Sequence, residues 1–419
     1  MRVYLHSLGC RLNQSEIENM GGRFAAAGHQ VVTDPAQARL CVINTCTVTA
    51  EAARKSRQLI RHLHRLNPGA SITVTGCYSQ LEPEAAASLP GVVCVVPNDE
   101  KENIAPQPDG AGPLSPGTLG RTRAFVKVQD GCDNHCTFCV ITIARGASRS
   151  RPLREIVAEV NALAAAGYKE AVLTGVHLGA YGRDRGEHED LSTLVRAVLG
   201  GTPILRLRVS SLEPWDILPD FFWLWQDPRL CRHLHLPLQS GSGATLRRMA
   251  RRTTPAAFAR LAAAARAHIP DLALTTDIMV GFPGETEAEF EESLAFVQEM
   301  DFAKLHVFRY SPRPGTAAAM MPGQVDEATK RSRSARMQAL SEQGARRFRE
   351  RFVGRVLPVL WESVEGIDQE GWRNSGLTDN YLRVRIVAPC VLSNTITPVR
   401  LTGVVDGSLA GELVREPAR

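Results

Sequence analysis

Cys132, Cys136 and Cys139 stand in the segment DGCDNHCTFC, a C-x3-C-x2-C spacing that follows the apolar run FVKV at 125–128. A strand that opens into such a loop lets three thiolates close around one compact inorganic body. A four-iron cluster ordinarily takes four thiolates. With three local thiols one iron keeps an open position, and the amine and carboxylate of an amino acid can chelate it. S-adenosylmethionine is held and reductively cleaved by that chemistry; the cofactor carries the radical step and the protein positions it. Cys136 and Cys139 alone would equally suit a thioredoxin-like C-x-x-C, a zinc site or buried structural thiols. Cys132, the aromatic Phe138 and the strand–helix series that follows favour the cluster.

Cys10, Cys46 and Cys77 are scattered, yet each sits just past a short β-branched run, in SLGC, NTC and TGC. In an open α/β sheet the carboxyl ends of the strands meet at one edge, where ligands bind. Three thiols there converge without a local motif, and Gly9 and Gly76, each directly before a cysteine, suit close backbone approach. A second three-cysteine cluster is the expectation; three buried thiols are the alternative. Cys41, Cys94, Cys231 and Cys390 read as structural.

The elements that must position these residues form three series. Residues 1–103 alternate strand candidates (Val3 to His6, Leu40 to Ile43, Ile72 to Thr75, Val92 to Val96) with helical stretches at Gln14 to Ala27 and Ala50 to Leu66. That alternation implies an α/β domain with a parallel sheet. Residues 104–120, rich in Pro and Gly, read as a flexible linker. Residues 121–351 carry six further strand–helix units, too few for the eight of a closed barrel, so a partial (βα)6 barrel is expected. From 352 to 419 short strands separated by Gly, Asn and Asp turns suggest a small all-β barrel of the oligonucleotide-binding kind.

Bulk properties set limits. The net charge of +5 permits an anionic partner without demanding one. Ten cysteines in 419 residues are too dilute for a secreted disulfide framework. No stretch approaches the roughly 18 consecutive apolar residues of a membrane span, and MRVYLHSLGC lacks the pattern of a signal peptide. A cytoplasmic protein with no membrane partner is expected.

Over nearly its whole length the chain resembles the methylthiotransferases of the radical-S-adenosylmethionine superfamily. The motifs are SLGCRLNQSE (7–16), INTCTVT (43–49), VTGCYSQ (74–80), DGCDNHCTFC (130–139), ARGASRSR (144–151), LHLPLQSGS (234–242), DIMVGFPGET (277–286) and TDNYLRV (378–384). ARG-x-x-RSR, TGVHLGAYG at 174–182 and the INTCTVT form resemble the branch acting on N6-threonylcarbamoyladenosine beside the tRNA anticodon. Thr142-Ile143 departs from that branch, which often has a Pro and an aromatic residue there.

The resemblance implies two [4Fe-4S] clusters, one on Cys132, Cys136 and Cys139 that cleaves S-adenosylmethionine, and an auxiliary one on Cys10, Cys46 and Cys77. It implies two S-adenosylmethionine molecules: one methylates a sulfur on the auxiliary cluster, the other yields a 5′-deoxyadenosyl radical that takes hydrogen from C2 of the adenine. Electrons would come from an external donor, flavodoxin- or ferredoxin-like. Candidate cofactor contacts are Thr174, Gly175 and His177 after the second barrel strand, Ser210, Ser211 and Glu213 after the third, and Gly281 and Gly284 near Glu285. A capping role is equally open for Glu213 and Glu285, and a core role for His177. The C-terminal barrel resembles a TRAM domain, an RNA-binding module. Arg145, Arg149 and Arg151 are candidate contacts to a tRNA anticodon stem-loop. The basic runs at Arg247 to Arg252, Lys330 to Arg336 and Arg346 to Arg355 suit phosphates, or are solvated helix faces. Two other readings stay open: a sibling enzyme acting on isopentenyladenosine or a ribosomal protein, and a non-catalytic iron–sulfur RNA-binding protein.

Overall fold

The computed structural model describes residues 1–108, 112–186 and 189–414. The first described sheet is fully parallel in the order β2-β1-β3-β4-β5, from β1 (Arg2–Ser7), β2 (Gln30–Val32), β3 (Leu40–Thr45), β4 (Ser71–Gly76) and β5 (Val92–Val95). β3 and β4 are buried along almost their whole length because helices cover both faces of a parallel sheet. The helices are α1 (Arg11–Ala26), α2 (Ala50–Leu66), α3 (Cys77–Leu81) and α4 (Pro83–Ala87). In α2, Ala53, Ser56, Ile60 and Leu63 recur on one face and are buried, and Thr49 caps the first turn through Ala52 N–H at 3.1 Å.

The expected linker is tied down where it is described. Ile104 and Leu119 pack on the Val3, Ile17 and Phe24 cluster, and the Arg23 Nε donates to the Pro106 carbonyl at 2.9 Å. The few apolar residues interrupting the Pro/Gly run dock it to α1. Residues 109–111 of that segment, and 415–419 of the C-terminal part, lie outside the described residues.

The central part places six parallel strands around a core rich in Leu and Val. They are β6 (Arg123–Lys127), β9 (Glu170–Thr174), β10 (Arg206–Val209), β11 (His233–His235), β12 (Ala273–Val280) and β13 (Lys304–Arg309). A short ribbon, β7 (Gln129–Asp130) with β8 (Arg149–Ser150), frames the Cys132 loop. The six strands form two sheets, β10-β9-β6 and β11-β12-β13, joined by bridges Leu207–Leu230 and Ser211–His235. No described pairing joins β6 to β13, so the barrel is open on that side. Around it lie α5 (Ile141–Arg145), α6 (Leu153–Ala165), α7 (Leu191–Gly201), α8 (Gly243–Arg248), α9 (Pro255–His268), α10 (Glu287–Glu299) and α11 (Glu327–Glu350).

β14 (Val356–Asp368), β15 (Gly371–Thr378), β16 (Arg383–Ala388), β17 (Ile396–Val405) and β18 (Ser408–Leu413) close a barrel in the order β14-β15-β16-β18-β17. Trp361 fills its centre, fully buried, with its indole N–H on Thr397 at 2.8 Å. β15 escaped the sequence reading because GWRNSGLT lacks apolar alternation. The small barrel docks under the open one through arginines: Arg206 donates to the carbonyls of Leu377 and Pro358, and Arg208 to that of Asp379.

Candidate active site

Cys10, Cys46 and Cys77 follow β1, β3 and β4, three neighbouring strands of the first sheet. Ser7 pairs with Asn44 and Thr45 with Gly76, so the three thiol-bearing turns lie side by side. All three line one cavity of about 420 Å³. Two glycines permit the crowding. At Gly9 (φ 95°) a Cβ would sit 2.6 Å from the Sγ of Cys46, and at Gly76 (φ 99°) 2.4 Å from the Thr45 carbonyl oxygen. Asn13 stitches the turns together, its Nδ2 donating to the carbonyls of Leu8 and Thr45 and its Oδ1 accepting from Arg145 at 2.6 Å.

The second triad gathers in the loop between β7 and α5, where each sulfur has a nitrogen donor. The backbone N–H of Asn134 donates to the Cys132 Sγ at 3.4 Å, that of Ile141 to the Cys139 Sγ at 3.5 Å, and Arg251 to the Cys136 Sγ at 3.8 Å. Burial pushes the Cys46 thiol up to about 11 and the Cys139 thiol up to about 12. Such groups ionise readily only beside a strong positive charge, and a coordinating metal supplies one. Three soft sulfurs, each with a donor ready for negative charge, fit an iron–sulfur cluster.

Thr174, Gly175, Ser210 and Ser211 line the same cavity as the first triad, together with Ile141, His235, Asp277 and His306. The buried Ser210 Oγ has no partner among the described residues and is free for a ligand. His177 is buried behind the Cys132 loop, its Nε2 2.5 Å from Asp216 and its backbone N–H on Gln129 at 2.8 Å. Burial opposes protonation of His177, but hydrogen bonds to Asp216 and Cys132 outweigh it and bring it up to about 9.

Other expected contacts go elsewhere. Gly281 and Gly284 are not in the cavity wall; the Gly281 amide donates to Glu285 at 2.5 Å and the Gly284 amide to the Gly323 carbonyl at 2.8 Å. The GFPGE turn therefore closes on itself, with Glu285 paired to Arg333 at 2.8 Å. Glu213 holds Arg251 through both oxygens, at 3.1 and 2.6 Å.

Arg145 is not a surface contact for RNA. Its side chain is 1% exposed, bound to Glu16 at 3.1 Å and Asp130 at 2.9 Å, because the facing domains bring two carboxylates to it. Lys101 and Lys127 join the same buried cluster on Glu16. Burial would raise the Glu16 carboxyl, but Lys101, Arg145 and Lys127 hold it well below the usual range. Arg151 donates to the Lys127 carbonyl and to Glu159 at 2.6 Å, whereas Arg149 is exposed. The basic runs are largely matched by acids: Arg248 with Glu289, Arg336 with Glu291, Arg346 with Glu350, Arg347 with Asp301 and Arg355 with Asp271. Sequence reasoning missed Asn13, Glu16, Gln129 and Arg251; only the motif membership of Asn13 and Glu16 in SLGCRLNQSE pointed to them.

Comparison with known proteins agrees with this architecture. "Uncharacterized protein family UPF0004" matches residues 2–97 and "Radical SAM superfamily" residues 126–297. Threonylcarbamoyladenosine tRNA methylthiotransferase MtaB of Bacillus subtilis (strain 168) is 39% identical over 91% of this chain and 89% of its own. At 34% stands the tRNA-2-methylthio-N(6)-dimethylallyladenosine synthase of Symbiobacterium thermophilum, over 99% of this chain and 95% of its own. At 36% stands the ribosomal protein uS12 methylthiotransferase RimO of Anaeromyxobacter sp. (strain K), over all of this chain and 94% of its own. Among solved structures, the radical S-adenosylmethionine methyltransferase TsrM of Kitasatospora setae shares the fold, with a TM-score of 0.57 at 16% identity over 76% of this chain and 75% of its own. The chain belongs to the methylthiotransferase family of radical-S-adenosylmethionine enzymes.

Proposed function

We propose that this chain converts N6-threonylcarbamoyladenosine beside the tRNA anticodon to its 2-methylthio derivative. The family uses S-adenosylmethionine and [4Fe-4S] clusters. The observation that carries the reading is the shared cavity: the Cys10, Cys46 and Cys77 turns and the ends of β9 and β10 line one space of about 420 Å³. Cys132, Cys136 and Cys139 would hold one cluster, and Cys10, Cys46 and Cys77 the other. Bound there, these groups supply the radical that takes hydrogen from the adenine C2 and the methylthio sulfur that replaces it.

The chain's own residues hold and orient. Ser210 offers an unpartnered hydroxyl, with Thr174, Gly175 and Ser211 beside it, for the polar parts of S-adenosylmethionine. The buried Glu16–Arg145–Asp130 contacts join the first sheet to the Cys132 loop, so the two triads keep their separation when RNA arrives. Arg149 is exposed beside the loop and is the remaining candidate among the three arginines for a phosphate. An external flavodoxin- or ferredoxin-like protein would deliver electrons. The MtaB name of a 39% identical relative supports threonylcarbamoyladenosine as the substrate.

The test uses reconstituted enzyme, a strong reductant and anticodon stem-loop RNAs carrying either threonylcarbamoyl or isopentenyl adenosine. Methylthio product is expected on the first RNA; product on the isopentenyl RNA alone would overturn the assignment. Cys132→Ala should abolish release of 5′-deoxyadenosine, whereas Cys77→Ala should retain part of it while losing methylthio product. Equal loss of 5′-deoxyadenosine in both variants would show that the two triads do not have separate roles.

A further inference from the structure

A second chamber of about 390 Å³ lies inside the open barrel, below the reaction cavity. Arg11, His235 and His306 line both spaces. Its walls come from the first residues of β11, β12 and β13, from Ala345, Phe348 and Arg349 of α11, and from the Leu377 to Arg383 segment of the small barrel.

The lining is cationic. Arg11, Lys304, Arg349 and Arg383 face it, with His233, His235 and His306, and no described lining residue is a carboxylate. Arg383 is paired with Glu362 at 2.7 Å. Arg11 donates to the Tyr381 hydroxyl at 3.1 Å. The Nε of Arg349 and the Nδ1 of His233 are buried without a partner among the described residues. Burial, then His235, hold the His306 ring below its usual value, and Lys304 and Arg11 add to this, outweighing Asp277. Like charges gathered in a cleft of low-dielectric walls focus a field that attracts an anion.

We infer that this chamber receives the carboxylate of the threonylcarbamoyl group while the adenine occupies the reaction cavity above it. The inference rests on the proposed substrate and deepens it: that nucleoside differs from isopentenyladenosine in carrying a carboxylate on its N6 side chain. Two features favour this carboxylate over an RNA backbone phosphate. The chamber shares Arg11, His235 and His306 with the cavity proposed for the base, and Ala273, Phe348, Leu377 and Leu382 add apolar wall around the basic groups. A site built to bind a polar group discriminates strongly against analogues that lack it.

The test compares binding of the reconstituted holoenzyme to stem-loop RNA carrying the natural acid and to the same RNA with that carboxylate converted to a carboxamide. Wild type should bind the acid about tenfold or more tightly than the amide, as expected for a charge-assisted contact. Lys304→Gln and Arg349→Gln should each remove most of that ratio, and Lys304→Arg should keep it. Lys304 is exposed and its substitution leaves the core intact; Arg349→Gln provides an independent second variant. Equal wild-type binding of acid and amide, with threonylcarbamoyl RNA still methylthiolated, overturns this inference alone. Variants that weaken both RNAs equally and flatten the salt dependence identify a phosphate contact, and also overturn it. Methylthio product only on isopentenyl RNA overturns the substrate reading and the inference together.

Discussion

Arg251 belongs to a sequence run, RRMARR, that suits either phosphates or a solvated helix face. In the fold its side chain is 2% exposed, forked onto Glu213, donating to the Pro237 carbonyl, and stacked 4.4 Å over the Trp215 ring. Its contact with the Cys136 sulfur makes it a positioning residue for the radical loop. Removing one partner of a buried, hydrogen-bonded ion pair costs about 3–5 kcal/mol. Arg251→Met should therefore lower the melting temperature and weaken S-adenosylmethionine binding, while RNA affinity and its salt slope stay near wild type. Calorimetry and RNA mobility shifts check this; a salt slope reduced by about one would restore the phosphate reading. Arg145 behaves likewise: its sequence neighbours Ala144, Gly146 and Ala147 carry no charge, and its partners Glu16 and Asp130 arrive from the two sides of the domain junction.

At the scale of elements, the DIMVGFPGET motif runs into the start of a helix. Thr286 caps α10 by accepting from the Glu289 N–H at 3.2 Å, and Glu289 reaches back to the Thr286 N–H at 3.1 Å, a reciprocal capping box. Glu289 also grips Arg248 at the end of α8, so one carboxylate closes two helices. Thr286→Ala should cost about 1 kcal/mol. Hydrogen exchange at the first-turn amides of α10 should then speed up by about fivefold, with amides of α9 unchanged. No change at the first turn would mean that packing of Phe290 alone holds it. The turn before it is closed by Glu285, which explains why Gly281 and Gly284 are needed for conformation (φ 71° and 75°) without lining the cavity.

For the whole molecule, Tyr381 is the joint. It sits in the left-handed region (φ 67°), uncommon for a bulky residue, in the turn of the TDNYLRV motif. Its ring stacks on His233 of the open barrel at 4.6 Å, and the guanidinia of Arg11, Arg123 and Arg208 lie over it at 5.7, 5.5 and 4.8 Å. The first domain, the barrel and the C-terminal domain thus meet on one side chain, and Arg11, which touches it, directly follows Cys10. Burial would push the phenol up, but the three arginines outweigh it and bring it down to about 8. The folded state then favours the ionised form. Its contribution to stability is full above the ordinary phenol value of about 10 and is lost as pH falls through about 8. The tyrosinate absorbance difference between wild type and Tyr381→Phe should titrate near pH 8, and Arg11→Met should move that midpoint upward. A midpoint at the ordinary phenol value would show that the guanidinia do not act on the ring. Among the described residues no helix is long and apolar enough to cross a membrane.

The sequence by itself determined the three-part order, the placement of six thiols at strand ends and in one loop, and the family. Those features are local: a cysteine after a β-branched run is placed at a strand end by the chain itself, and C-x3-C-x2-C is one loop. The convergence of Cys10, Cys46 and Cys77 was also legible, because parallel strands share one carboxyl edge. The fate of each charge was decided only in three dimensions. Whether an arginine meets phosphate or carboxylate depends on what arrives from distant chain, as Glu16 does for Arg145 and Asp271 for Arg355. The cationic chamber likewise exists only where three domains bring their basic residues together and no carboxylate joins its described lining. Pairwise electrostatics over long sequence separations leaves no periodic trace in the chain, and the tertiary fold alone settles it.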